Sequence, residues 1–274
     1  MLTLVDPIEA KLERLEAKPP LVLDDVDFDV RDRAAVRARL AQPLAYSQRV
    51  EAMVTGLSIE RLLPRATGAD GYVNRFLTVW KPDEQGHARA LERLLVELDI
   101  EPFPLPEDEP VPLHNRLAGS VGAVSTRVHE TVELIYHAIG AMNERLAFSA
   151  YERMSEVLVE LGELGLVDTL MKPLRRDESA HLGYYRTAAR DLRDRLDPWQ
   201  RFVARNVIAW TYAPVGAGAP QDRPAFGAPI QALGDADPLV DRVQLLAESL
   251  LSVDERPLRP FVKASFDRCV AATP

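Results

Sequence analysis

Two segments of this chain carry the same arrangement of acids and imidazole: Asp83-Glu84-Gln85-Gly86-His87 and Asp177-Glu178-Ser179-Ala180-His181. Each sets a Glu and a His three residues apart, so on a helix both side chains point to one face. A carboxylate beside an imidazole is a pair of metal ligands. Two such helices, joined by one Glu from each of two partner helices, make the ligand set of a dinuclear carboxylate centre in a four-helix bundle. A single Glu-x-x-His is weak, because surface helices contain it by chance as an ion pair. Two copies with matched upstream acids are far more specific.

Hairpin geometry selects those upstream acids. In an antiparallel helix pair, facing residues lie about equally far from the turn. Glu144 precedes Glu178 by 34 residues, and their midpoint falls beside Gly162 and Gly165. Gly140, Ala141 and Ala147 surround Glu144 and leave room for ions and substrate. In the first hairpin two acids compete. Glu51 precedes Glu84 by 33 residues, with a midpoint in the turn-forming stretch 65–71. Glu60 follows Glu51 by nine residues and points to the opposite face at ~100° per residue. Spacing prefers Glu51 and keeps Glu60 as the alternative.

The expected ligands are therefore Glu51, Glu84, His87, Glu144, Glu178 and His181. Asp83 and Asp177 are placed to accept the ring N–H of a ligand histidine and fix its tautomer. Oxygen ligands with imidazole suit two iron ions, with manganese or a mixed Fe/Mn pair as alternatives. Four buried glutamates without counter-ions would be very costly. His137 reads as a hydrogen-bonded core histidine, with an extra ligand as the rarer alternative. His114 and His129 read as surface residues. Tyr151, Tyr184, Tyr185 and Trp210 read mainly as packing residues, with a redox role as the minority reading.

The elements that would hold these ligands are helical. A short amphipathic helix is expected over 8–18, then an acidic loop, with helical composition again over 31–41. Pro43 reads as a break or a helix start. Long helices are expected over 44–63, 72–98, 121–161 and 166–196, with Pro82 and Pro173 as sites of a kink, or Pro82 as the start of a new helix. Five prolines in 99–113 exclude regular helix and mark a crossover. A further helix runs from Pro198 to about Tyr212. Residues 213–238 read as loop, and 239–251 and 258–268 as short helices. The expected fold is all-α: a ferritin-like four-helix bundle with a long crossover connection and additional terminal helices. Its parts would be an N-terminal helix and loop at 1–43, the bundle at 44–212, and a C-terminal covering segment at 213–274.

Composition narrows the classes. The chain has 274 residues, 47% of them hydrophobic and 27% charged, enough to bury a sizeable core. Its net charge of −9 argues against nucleic acid as a main partner. No apolar run reaches the ~20 residues of a membrane span, and no signal peptide is recognisable. The single Cys269 excludes an internal disulfide and fits the cytoplasm.

Trp80-Lys81-Pro82-Asp83-Glu84-Gln85-Gly86-His87 resembles the W-x-x-E-E-x-x-H segment of soluble acyl-carrier-protein desaturases. Asn143-Glu144-Arg145 resembles their third-helix Glu-Arg pair, and Arg176-Asp177-Glu178-Ser179-Ala180-His181 resembles their second D-E-x-x-H. The similarity covers roughly residues 44–196. Two departures stand out. The family's first-helix Glu is often followed by Leu-Pro, a flavour found here at Glu60-Arg61-Leu62-Leu63-Pro64. Plant members often carry Thr where this chain has Ala147.

The resemblance implies a di-iron centre that activates O2 to desaturate or hydroxylate an acyl or other small organic substrate. It also implies a ferredoxin-type electron donor and a homodimer. If the substrate rides on an acyl carrier protein, which is acidic, Arg175, Arg176, Arg186, Arg190, Arg193 and Arg195 offer a basic face, although helices routinely carry solvated arginines. Two other classes stay open: a ferritin-like ferroxidase or storage protein, and a metal-free bundle scaffold.

Overall fold

The computed structural model describes residues 6–54, 59–67, 71–102, 113–234, 237–252 and 258–274. Among them the secondary structure is helical throughout, with no strand. Helix α1 spans Pro7–Glu16, α2 Arg33–Val54, α3 Ile59–Leu62, α4 Tyr72–Glu97, α5 Leu113–Val124 and α6 Thr126–Glu160. Then follow α7 (Leu164–Leu166), a π-helical turn (Val167–Met171), α8 (Lys172–Arg195), α9 (Pro198–Thr211), α10 (Arg223–Leu233), α11 (Asp237–Leu251) and α12 (Phe261–Ala271).

Four long helices make the bundle: α2 packs on α4, and α6 packs on α8. Their apolar faces form two clusters at opposite ends. One joins Phe76 and Trp80 of α4 to Leu134 and Met142 of α6 and to Leu182 and Ala189 of α8. The other joins Leu40 of α2 and Leu94 of α4 to Met154 and Leu158 of α6 and to Leu174 of α8. The second cluster takes the C-terminal halves of both α4 and α6, so these two helices run parallel. The chain must therefore return along the bundle between them, and α5 lies on that return. This is the long crossover expected from the prolines; residues 103–112 fall outside the described set.

Several boundaries differ from expectation. Pro43 neither breaks nor starts a helix, since α2 runs through it. An interior proline costs ~3 kcal/mol. Here Val36, Leu40 and Leu44, all fully buried on either side of it, hold the rod together. Pro82 likewise sits inside an unbroken α4. The third helix begins at Thr126, not 121, because the Ser125 hydroxyl accepts from the Val128 backbone N–H and caps it. Residues 121–124 belong to α5. The stretch 213–238, read as loop from its Pro and Gly, contains α10. That helix is short and buries Phe226 and Ile230, a pattern too brief to stand out against its prolines. Gly162, at φ +79°, closes α6 where the hairpin turn was expected.

Helix α1 lies across α4 and α8, while α10 packs mainly on α2, α11 mainly on α6, and α12 against α10 and α11. No helix among the described residues is long and apolar enough to cross a membrane.

Candidate metal centre

The two apolar clusters leave a layer between them, and that layer is acidic. Glu51 comes from α2, Glu84 and His87 from α4, Glu144 from α6, and Glu178 and His181 from α8. All six are buried. They fall into two groups, each with its ligand atoms within 4.8 Å of one another: Glu51, Glu84, His87 and Glu178, and Glu84, Glu144, Glu178 and His181. Glu84 and Glu178 belong to both. The arrangement is that of two adjacent ion positions with two shared carboxylates, each completed by its own Glu and His.

The hydrogen bonding shows which atoms face the centre. The Tyr151 hydroxyl donates to Glu51 Oε1 at 2.5 Å, and the Trp80 indole N–H donates to Glu144 Oε1 at 3.1 Å. His87 Nε2 lies 3.3 Å from Asp177 Oδ2, and His181 Nε2 lies 3.0 Å from Asp83 Oδ2. Four buried atoms turn inward and lie against one another: His87 Nδ1 is 3.3 Å from Glu178 Oε1, and His181 Nδ1 is 3.1 Å from Glu84 Oε1, without the geometry of a formed hydrogen bond. Buried polar atoms left so are rare and need a cause. The outward atoms are tied to the protein while the inward ones crowd one space, as residues able to grip a cation would.

The aspartates serve crosswise. Asp83, from the first motif, meets the histidine of the second, and Asp177 meets the histidine of the first. The exchange ties α4 to α8 behind the centre and fixes Nε2 as the ring donor, which leaves Nδ1 as the metal-facing lone pair.

A residue outside both motifs completes this wall. Lys18, just past α1, places Nζ 3.0 Å from Asp83 Oδ2 and 2.9 Å from Asp177 Oδ1, with a side chain only 6% exposed. Arg176 Nε donates to Asp177 Oδ1 at 2.8 Å. The charges then balance. Six carboxylates face two cationic side chains, leaving four negative charges, which two divalent ions would neutralise. Nothing local in the sequence singles out Lys18; its role depends on where α1 docks.

Without ions the centre holds protons instead. Burial and the neighbouring Glu51 carboxylate push Glu84 well above the usual carboxyl range, and burial with the Glu144 charge does the same to Glu178. Burial opposes charge on the histidines, but their acidic neighbours prevail. Asp177 and Glu178 raise His87 well above its ordinary value, and Asp83 and Glu144 raise His181 to about 9. Glu51 moves the other way, to about 2: burial raises it, but bonds from its neighbours, His87 and Tyr151 among them, outweigh that.

Glu60, the competing acid, is exposed and pairs with Lys81 at 2.8 Å, outside the centre. It sits on the separate helix α3. His137 is buried, with Nε2 3.7 Å from Glu133, and is in neither ligand group. His129, read as a surface residue, is buried at 5% exposure, with Nε2 3.6 Å from Glu133. Its acidic helix mimicked a solvated face. The side chain of His114 lies outside the described set. Four of the basic-face arginines are engaged: Arg175 with Glu152, Arg176 with Asp177, Arg193 with Asp194 and Arg195 with Asp191.

No protein-family model, curated protein or solved structure matches this chain. The site must be read on its own chemistry.

That chemistry includes a chamber. A cavity of about 490 Å³ touches Glu51, Glu84, Glu144 and Glu178 and is otherwise walled mostly by apolar side chains, among them Val50, Ile135, Ile139 and Leu146. Such a volume is in the range of small-molecule sites. Phe226, Pro229 and Ile230 of α10 also line it. Tyr46, in the same lining, donates to the Val215 carbonyl. The other wall is shaped by Gly140, where a Cβ would meet the Tyr185 ring at 2.5 Å.

Proposed function

We propose that this chain is a di-iron oxidoreductase, similar to the acyl-carrier-protein desaturases, which uses O2 to desaturate or hydroxylate an apolar acyl-type substrate. The observation that carries the reading is the pair of buried carboxylates, Glu84 and Glu178, that both ligand groups share and that line an apolar chamber. Two iron ions held there would supply O2 reduction; manganese or a mixed pair would use the same ligands. The chain supplies position and enclosure. Tyr151 and Trp80 hold Glu51 and Glu144 in place, Asp83 and Asp177 orient the two imidazoles, and the chamber keeps water from the reacting carbons.

The electron count sets the partners. Converting a CH2–CH2 unit to an alkene yields two electrons, and reducing O2 to two waters needs four. The other two must come from an external donor, for which a ferredoxin-type protein in the cytoplasm fits. Hydroxylation needs the same donor. A storage or ferroxidase role uses the same ligands but has no use for an apolar chamber, which is why substrate oxidation is preferred. Delivery by an acyl carrier protein is the further part of this reading.

The test begins with anaerobic Fe(II) titration, which should saturate near two ions per chain. Admitting O2 with a reductase system and a series of acyl substrates should then yield products lacking two hydrogens or bearing one added oxygen, by mass spectrometry. Stoichiometric iron binding with no substrate-dependent O2 uptake across the series would refute the oxidase reading.

A further inference from the structure

A second cavity, of about 560 Å³, lies between the end of α9 and α12 and shares no lining residue with the chamber. Its size is in the range of small-molecule sites. Helix α12 contributes Phe261, Ala264, Ser265, Arg268 and Cys269, one helical face at i, i+3, i+4, i+7 and i+8. Arg223 of α10 and Arg259, just before α12, line it as well.

Among the described residues, three arginines and no carboxylate line this space. None of the three forms an ion pair with a described acid; Arg259 only donates to the Ala209 carbonyl at 3.2 Å. Elsewhere Arg39, Arg75 and Arg242 each hold a glutamate. The charges of Arg223 and Arg268 both reach the buried Cys269, where they oppose the burial that raises its thiol. In a chain of net charge −9, this gathers positive potential at one opening, where an anion gains most from it.

Tyr212 is a separate sign of a ligand. It lines the cavity at 4% exposure, and its hydroxyl has no hydrogen-bond partner. A buried hydroxyl left so is rare and costly. Burial pushes its phenol up, so it keeps its proton and stands as a donor. Guanidiniums and a phenol suit phosphate, whose oxygens accept charge-assisted and bidentate hydrogen bonds. Trp210, expected to pack in the core, is instead 73% exposed and part of the same lining. It offers an indole on which an aromatic ring can stack. A diphosphate carries about three negative charges at neutral pH, matching the three arginines.

We propose that this cavity binds a nucleoside diphosphate, with the phosphates on Arg223, Arg259 and Arg268, Tyr212 donating to them, and the base against Trp210. The site is separate from the metal centre, and the inference stands independently of the ions held there.

Calorimetric titration of the full, metal-loaded chain tests it, with ADP, pyrophosphate, adenosine and phosphopantetheine as probes. ADP should bind once per chain and weaken as salt is raised. Pyrophosphate, which has no base to stack, should bind ~10-fold more weakly, and adenosine, which has no phosphate, ~100-fold more weakly. Arg259→Gln and Arg268→Gln each change an exposed side chain, so helicity and metal content should be retained, while each weakens ADP ~10-fold. Trp210→Ala should lower ADP affinity to the pyrophosphate level and leave pyrophosphate unchanged. No saturable ADP binding by ~1 mM would overturn the proposal. So would ADP binding that is unchanged in the arginine variants, as chelation at the metal centre would be, or unchanged in Trp210→Ala. Phosphopantetheine or adenosine binding as tightly as ADP would also overturn it.

Discussion

Replacing Lys18 with Met keeps the length and apolar stem of the side chain and removes its charge. Its ammonium sits between Asp83 and Asp177 at 3.0 and 2.9 Å in a nearly sealed position. Breaking a buried ion pair costs ~3–5 kcal/mol because the remaining charge is left uncompensated. Both aspartates keep other partners, His181 for Asp83 and both His87 and Arg176 for Asp177. The lower end of that range, ~3 kcal/mol, is therefore expected.

The loss should depend on pH with a definite sign. Bonds from His181 to Asp83 and from His87 to Asp177, aided by Lys18, overcome burial and depress both carboxyls below the ordinary 3.8. A depressed acid stabilises the fold above its unfolded pKa and loses that contribution as pH falls through the folded one. Wild type and variant should therefore differ fully at neutral pH and converge in strong acid. Because the aspartates orient the metal-facing histidines, metal affinity should also fall, by ~10–100-fold. Urea titrations at several pH values, with chelator competition for affinity, measure both. If Lys18→Met matched wild type within ~0.5 kcal/mol and bound metal equally, the charge-balance argument would be refuted.

Four further outcomes follow from the geometry. His181→Ala or Glu144→Ala should sharply lower the metal bound per chain, by elemental analysis, with helicity by circular dichroism largely intact. Metal loading should release protons and weaken steeply on acidification, because raised Glu84, Glu178, His87 and His181 must all deprotonate to bind; proton counting in weak buffer measures this. In the metal-free protein, the stability tied to His181 should be fully present below ~6.5 and lost as pH rises through its folded value of about 9. Tyr151→Phe leaves Glu51 Oε1 without its donor and should cost ~1–3 kcal/mol, by denaturant unfolding.

Much of the centre was legible in the one-dimensional pattern because helices convert spacing into direction. The two Asp-Glu-x-x-His segments and the equal distances to Glu51 and Glu144 brought six side chains to one layer. The choice of Glu51 over Glu60 followed from hairpin symmetry; helix phase did not decide it, because the expected helix over 44–63 is not one rod: α2 ends at Val54 and Glu60 lies on the separate α3. What failed was local punctuation. Pro43 and Pro82 looked like breaks, and the prolines of 213–238 hid α10, because packing of the flanking apolar residues outweighs the cost of a missing hydrogen bond.

The sequence by itself determined an all-helical chain, the faces of four long helices and the residue types meeting between them, since these depend on periodicity alone. Only the tertiary structure decided that Asp83 and Asp177 exchange histidines, that Lys18 lies between them, that Trp80 and Tyr151 hold the outer carboxylates, and that an apolar chamber opens on the ligands. Each of these depends on how one helix is placed against another. That placement arises from the packing of many side chains at once and has no signature at any single spacing along the chain.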